Sequence, residues 1–328
     1  MPVGNRPTIG WSGFATASAE HDRRFVSWLA SSVRGMGVNN EVAVVTGANS
    51  GIGRATAIHL ARNGYTVFGT ARGLEKAKKA DSMAAEAGVE LQWVEMDVAD
   101  DASTARGLAE VFERAGRIDV LVNNAGVGGN AVVEECPPAL YHEVMNVNLY
   151  GVVRCVQAVL PHMRERGSGT IVNISSVVGR FAALAQAPYV ASKWALEAMS
   201  EGLAQEVAPF GIRVAMVEPG ITKSAIFAKN IDAPNSSGAY EAHYRRMFQF
   251  YAAGMAQATD PFEVGAVVLN AIRTNEPRLR YPVSWGGPEL LANRPLVSDA
   301  DWVALGAIEN DAEYNAEFER LFGVRIAT

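Results

Sequence analysis

From Glu41 onward, short continuous runs of Val, Ile and Leu alternate with longer stretches in which apolar residues recur every three or four positions. The runs at 42–46, 65–70, 90–96, 118–122, 169–175, 212–217 and 279–283 read as strands. Most are apolar throughout rather than at every second residue, so they predict strands covered on both faces. Between them, helical periods run over about 52–63, 74–87, 101–116, 137–166, 188–210 and 260–275. This alternation predicts an α/β fold, a doubly wound parallel sheet of the Rossmann type in a single domain, with ligands at the carboxyl ends of the strands.

The pattern spans residues 41–285 and leaves an extension at each end. Residues 1–40 carry four arginines against Glu20 and Asp22, are rich in Gly, Ser, Ala and Pro, and show no sustained apolar period. Arg23-Arg24-Phe25 followed by Val26–Val33 faintly resembles a twin-arginine export signal. The apolar run is short, Arg34 ends it and no clear cleavage site follows, so a poorly ordered N-terminal extension is expected instead. Met36 is a sensible alternative start of translation. Residues 286–328 hold eight acids against three arginines, with Tyr314, Phe318 and Leu321 at helical spacing. They predict an acidic, partly helical C-terminal tail whose apolar stripe docks on the body or on a partner subunit.

Composition narrows the partners. With 49% apolar residues the 328-residue chain buries an ample core, and a net charge of -6 with a pI near 5.5 argues against nucleic acid or anionic membrane as the main partner. No apolar run approaches the ~20 residues of a membrane-spanning helix. Two cysteines, Cys136 and Cys155, write no disulfide framework, and the five histidines show no metal-ligand spacing. A soluble, cytoplasmic, metal-free protein acting on a small molecule is expected.

Candidate chemistry begins at the first turn. Thr46-Gly47-Ala48-Asn49-Ser50-Gly51-Ile52-Gly53 separates the first strand from the first helix. A pyrophosphate is attracted to the unpaired N–H groups and positive dipole end of that helix, provided side chains stay out of the way. Gly47 lets the chain turn, Gly51 lets backbone approach the phosphates, and Gly53 lets the helix pack on its strand. The glycine spacing departs from the general G-x-G-x-x-G fingerprint, and a glycine-rich turn is often only a turn. The second strand ends at Arg72, where an NAD-binding protein would place an acid. An arginine fork there suits a 2′-phosphate, with Ser50 as a second contact, so NADP is expected over NAD; the alternative is a solvated residue at a helix start. Asp97-Val98 closes the third strand and places a carboxylate near an adenine edge. In Asn123-Asn124-Ala125-Gly126, closing the fourth, small residues leave room for ribose, while the amides either bond it or tie adjacent strands together.

Tyr189 and Lys193 stand four residues apart, hence on one helix face. A phenol of pKa ~10 is a poor acid or base near neutrality, and a neighbouring cation favours its ionised form. A Tyr/Lys pair at this spacing is also ordinary helix surface. Ser176, at the end of the fifth strand and thirteen positions before Tyr189, belongs on the ligand edge of the sheet, with Ser175 as its competitor. Asn148 falls within a long helical stretch, where a buried amide needs partners and a water bridging to Lys193 would supply one. Pro219-Gly220-Ile221-Thr222 follows the sixth strand at the same edge.

In this order the chain resembles the short-chain dehydrogenase/reductases over roughly residues 41–285. The resemblance rests on T-G-x-x-x-G-x-G at 46–53, N-N-A-G at 123–126, Asn148, I-S-S at 174–176, Y-x-x-x-K at 189–193 and P-G at 219–220. It accounts for the glycine spacing. It implies that Tyr189 is the proton donor and acceptor, that Ser176 polarises the carbonyl, and that Lys193 lowers the tyrosine's pKa and holds the nicotinamide ribose. It further implies that Asn148 supports a proton-relay water, that Thr222 and the Ile221 backbone hold the carboxamide, and that Arg72 marks an NADP-preferring member. A homodimer or homotetramer through the helices at 137–166 and 188–210 is implied too. Residues 222–255 correspond to the substrate lid. Its Ile226, Phe227, Tyr240, Tyr244, Met247, Phe248, Phe250, Tyr251 and Met255 either pack the lid onto the core or shape a pocket for a bulky apolar ketone or alcohol. The expectation is an NADP(H)-dependent carbonyl/alcohol oxidoreductase; the alternative is a dinucleotide-binding redox sensor or scaffold without turnover.

Overall fold

The computed structural model describes residues 41–224, 226 and 234–326, so the N-terminal extension and Phe227 of the lid lie outside the described residues. Strands β1 (Val42–Val45), β2 (Thr66–Ala71), β3 (Gln92–Glu95), β4 (Val120–Asn123), β5 (Gly169–Ile174), β6 (Ile212–Pro219) and β7 (Arg280–Val283) form one parallel sheet in the order β3-β2-β1-β4-β5-β6-β7. Helices α1 (Gly51–Arg62), α2 (Lys78–Glu86), α3 (Asp101–Ala115), α4 (Pro138–Met145), α5 (Gly151–Arg166), α6 (Ala187–Val207) and α8 (Pro261–Arg273) make the crossovers. All seven predicted strands are present, each within two residues at either end.

Because strand side chains alternate between faces, each apolar run feeds two cores. Val42, Val44, Leu121 and Ile171 pack with Leu108 and Val111 of α3, Val156 and Val159 of α5 and Leu196 of α6. Ala43, Val45, Val122, Val172 and Val217 pack on the opposite side with Ile58 and Leu60 of α1 and Val264 and Val268 of α8.

The predicted helix over 137–166 departs from one regular element. A π-helical turn at Asn146–Tyr150 separates α4 from α5. Such a turn marks a place where side-chain bonding competes with the regular ladder, and Asn148 is its buried member. The predicted lid contains α7 (Glu241–Ala256).

The C-terminal residues fold as α9 (Gly287–Asn293), α10 (Asp299–Ala307) and α11 (Asp311–Phe322), more helical than a tail. The apolar stripe of α11 lies on the chain's own body, and it runs Tyr314, Phe318, Phe322: Phe322 is fully buried whereas Leu321 is only partly so. The 4+4 spacing keeps Phe322 on the buried face and rotates Leu321 off it. These rings join Val177, Val178 and Phe181, residues that directly follow Ser176. The extension is therefore a third core, built against the turn that follows β5. Phe322→Ala is expected to cost about 3–5 kcal/mol of unfolding free energy. Leu321→Ala should cost about 1 kcal/mol, the ordinary size for a partly exposed site. Urea unfolding of both variants checks the ordering.

Candidate active site

The parallel sheet delivers the ends of β1, β4, β5 and β6 to one edge, and polar ties hold them there. Asn124 donates its amide to Thr46 O at 2.9 Å and Gly47 O at 3.3 Å, while the Thr46 hydroxyl accepts from the backbone N–H groups of Asn124 and Ala125, each at 2.9 Å. Asn123 donates to Asn173 Oδ1 at 2.8 Å, and Asn173 to the Ser200 hydroxyl at 2.8 Å. Of the two roles open to these amides, the strand-tying one is realised by both. Thr46 was not singled out in the sequence; its place before the glycines is the signal that could have found it.

The glycine turn is built for close approach. Gly47 and Gly51 take positive φ values of 64° and 53°, conformations that a side chain strains. A methyl on Gly53 would lie 2.3 Å from Asn124 Nδ2 and 2.5 Å from Gly47 O. Asn49, Ser50 and Ile52 are half-buried around this turn, and the Ser50 side chain makes no capping bond to its own helix. No acid stands in the first turn of α1, whose free N–H groups face this loop. This cradle fits a dinucleotide's phosphates. Arg72 is exposed just past the end of β2, in no ion pair among the described residues. Asp97 folds over its own turn, accepting from Ala99 N at 2.9 Å, and Val98 is buried. Gly126 lies against Asn148, a methyl there falling 3.3 Å from its Oδ1.

At the same edge, Ser176, Tyr189 and Lys193 come together. Ser176 caps the short turn Val177–Gly179, and its hydroxyl donates to Pro219 O at 3.4 Å. Lys193 sends its ammonium 2.8 Å to Ile174 O and lies 5.8 Å from the Tyr189 ring centre. Burial pushes the Tyr189 phenol up to about 12, with the adjacent Ser176 hydroxyl pulling it back. Burial pulls Lys193 down to about 8, opposed by Glu197 one turn further along α6. In the protein's own field, then, desolvation sets the direction for the phenol, and it is the Ser176 hydroxyl that opposes it. Ser175 is turned elsewhere: a methyl on Gly179 would lie 2.8 Å from its hydroxyl oxygen.

Asn148 is 1% exposed and fully engaged. Its Oδ1 accepts from Val127 N at 2.9 Å, and its amide donates to Val127 O at 2.9 Å and to Ser192 Oγ at 3.0 Å. Ser192 in turn donates to Tyr189 O at 2.7 Å. Its described side-chain bonds reach the start of α6 through Ser192 rather than Lys193. Beyond β6, a methyl on Gly220 would lie 2.1 Å from Trp285 O, which is why only glycine follows Pro219. Ile221 donates its N–H to Trp285 O at 3.0 Å, and its carbonyl accepts from Thr259 N at 3.3 Å. The buried Thr222 hydroxyl lies 2.8 Å from that of Ser284.

The lid aromatics divide. Tyr244 and Met247 are buried against Val132 and Ala185, Phe250 joins Trp285 and Phe318, and Phe248 and Met255 are exposed at 38% and 42%. Tyr251 reaches the neighbourhood of Tyr189: burial first, and the Tyr189 charge second, push its phenol up, and its hydroxyl donates to Asn130 Oδ1 at 3.3 Å. Buried Arg246 ties α7 to the C-terminal helices through Asp311 at 3.0 Å and Ile308 O at 2.6 Å. Neither contact is legible locally, since each joins residues more than sixty positions apart.

The short chain dehydrogenase family profile matches residues 41–235. An uncharacterized oxidoreductase, YusZ, of Bacillus subtilis is 33% identical over 82% of this chain and 98% of its own length. A 3-ketodihydrosphingosine reductase of Bacteroides thetaiotaomicron is 32% identical over 74% of this chain and 87% of its own. Among solved structures, a short-chain dehydrogenase from Streptomyces avermitilis superposes with a TM-score of 0.72 at 35% identity, covering 83% of this chain and 100% of that one. An alcohol dehydrogenase from Thermococcus sibiricus complexed with 5-hydroxy-NADP gives 0.62 at 28% identity, covering 75% and 97%. The chain belongs to the short-chain dehydrogenase family. It is an NAD(P)-dependent oxidoreductase of the alcohol/carbonyl class.

If Gly53 sets the depth of the phosphate cradle, Gly53→Ala should weaken NADPH binding by about tenfold or more, the loss of roughly one charge-assisted hydrogen bond. Titration of nucleotide fluorescence measures it, and wild-type affinity in that variant would contradict the assignment.

Proposed function

We propose that this protein is an NADP(H)-dependent reductase or dehydrogenase that interconverts a carbonyl and an alcohol on a bulky, largely apolar substrate, with Tyr189 as the general acid and base. The observation that carries the reading is the meeting of Ser176, Tyr189 and Lys193 at the sheet edge that also bears the glycine turn. The bound nicotinamide supplies the hydride in reduction and takes it in oxidation. Gly47, Asn49, Ser50, Gly51, Ile52 and Gly53 receive the pyrophosphate, Arg72 with Ser50 the 2′-phosphate, and Asp97 and Val98 the adenine side. Asn124, Ala125 and Gly126 bound the ribose space, and Pro219, Gly220, Ile221 and Thr222 the carboxamide side.

In this scheme the Ser176 hydroxyl donates to the substrate oxygen and orients it toward Tyr189. Tyr189 Oη gives its proton to that oxygen in reduction and takes one back in oxidation. A phenol pushed up to about 12 by burial rests protonated, so reduction starts without prior ionisation. Oxidation needs the phenolate, which the Lys193 ammonium stabilises from the same helix face. Asn148 fixes the start of α6 and supports a water chain that renews the proton. Support for a bulky apolar substrate comes from Tyr251 and the buried lid aromatics, and from the 3-ketodihydrosphingosine activity carried in the name of one relative. Support for NADP comes from exposed Arg72 at the end of β2 and from the NADP analogue held by one structural neighbour. A cytoplasmic setting and a homodimer or homotetramer through α4, α5 and α6 complete the reading. No helix of the described residues is long and apolar enough to cross a membrane.

Tyr189→Phe should lower turnover of an apolar ketone by at least about 10²- to 10⁴-fold, the usual range for a lost general acid, with NADPH affinity nearly unchanged. Absorbance of the reduced nicotinamide reads the rate, and full activity in the variant refutes the role. Arg72→Ala should reduce the preference for NADPH over NADH by about tenfold or more, the scale of a hydrogen bond to a charged group. A wild type that prefers NADH, or a variant with unchanged preference, removes that role.

A further inference from the structure

Two loops leave the sheet side by side at the catalytic edge. One follows β5 and carries Ser176; the other begins at the last two residues of β6, Glu218 and Pro219, and runs on through Thr222. The sheet ladder between them ends where Ser175 N donates to Val217 O at 2.8 Å. Past that point the described bridges between the two loops are side-chain ones. The Ser176 hydroxyl meets Pro219 O at 3.4 Å, at the limit of a hydrogen bond. Arg180 grips Glu218 with Nε at 2.6 Å from Oε1 and Nη2 at 3.4 Å from Oε2. Glu218 is 0% exposed, while the Arg180 side chain is 36% exposed.

Two further contacts tie this pair to Lys193. The turn Val177–Gly179 is pressed against α6 so closely that a methyl on Gly179 would lie 2.8 Å from Glu197 Cγ, 2.8 Å from Ser175 Oγ and 3.3 Å from Lys193 O. Glu197, itself buried, is the carboxylate whose charge favours the Lys193 ammonium, and Arg280 of β7 donates to its Oε2 at 2.9 Å. Glu218 faces Glu197 from α6, Arg180 from the serine loop and Arg280 from β7. Burial and the Glu197 charge push its carboxyl up to about 7, and the two arginines pull it back.

A buried ion pair is a weak source of net stability, because desolvation offsets most of its attraction. What a forked arginine–carboxylate contact does supply is a fixed separation between the two chains that carry it. We propose that Arg180 and Glu218 form a clasp that positions Ser176 against Tyr189 and against the Pro219–Thr222 loop, with Glu197 and Arg280 as its buttress. Arg180 and Glu218 are positioning residues: they act through Ser176 and never touch the substrate. The clasp rests on the dehydrogenase reading above and adds the element that sets its serine.

The test compares Arg180→Ala, Arg180→Lys, Glu218→Gln and the Arg180→Ala/Glu218→Gln double variant with the wild-type chain. Thermal unfolding, NADPH titration by fluorescence and steady-state reduction of an apolar ketone are measured for each. Arg180→Ala should unfold cooperatively and bind NADPH within about threefold of wild type while kcat falls by about 10- to 100-fold, the loss that follows a misplacement near 1 Å. Arg180→Lys, which keeps the charge without the fork, should recover part of that loss. The double variant should be no slower than the worse single one, because both remove the same contact. The clasp is overturned if Arg180→Ala keeps wild-type kcat, if its rate falls only in proportion to the fraction unfolded, or if the double variant shows the product of the two single losses. A wild type without turnover on any ketone or alcohol instead overturns the dehydrogenase reading, and the clasp with it.

Discussion

A buried ammonium needs oxygen around it, and that need organises the catalytic edge. Lys193 is 5% exposed and rests on Ile174 O, with the Glu197 carboxylate one turn away on the same helix. Desolvation pulls its pKa down, to about 8. The Glu197 charge opposes that pull and the last carbonyl of β5 accepts from the ammonium, which fixes α6 against the end of β5 and so brings Tyr189 beside Ser176. Position and charge of the pair are one problem with one solution.

The remaining strand ends are tied by groups that do no chemistry. Thr46 and Asn124 join the glycine turn to β4, and Asn123, Asn173 and Ser200 join β4 through β5 to α6. Buried amides and hydroxyls are costly unless paired, so a network that satisfies them at adjacent strand ends also fixes the distances between those ends. The glycine turn and the helix that bears the Tyr189 phenol are thereby parts of one polar lattice over two apolar cores.

The C-terminal helices extend this edge rather than hanging from it. Tyr314, Phe318 and Phe322 bury Phe181 and the turn after Ser176, and Arg246 anchors the lid helix to Asp311 and Ile308 while stacking on Tyr314, its guanidinium carbon 4.2 Å from the ring centre. Lid, catalytic turn and C-terminal helices share one wall. The packing around the turn after Ser176 thus depends on residues beyond the matched family region, which ends at 235.

The sequence by itself determined the sheet, the crossover helices and the glycine turn, because those depend on local periods and on backbone conformations that only glycine adopts freely, as at Gly47 and Gly51. It also placed Ser176, Tyr189 and Lys193 on one edge, since in a parallel sheet every strand ends on the same side. It did not reveal the π-helical turn around Asn148, whose amide finds Val127 and Ser192 only once the loop after β4 and helix α6 are in place. Nor did it assign Phe322 over Leu321 to the buried stripe, or join Arg180 to Glu218 and Arg246 to Asp311. Those contacts connect residues tens of positions apart, and only tertiary structure decides them, because a charge is paired by whatever the fold brings within reach and not by what stands near it in the chain.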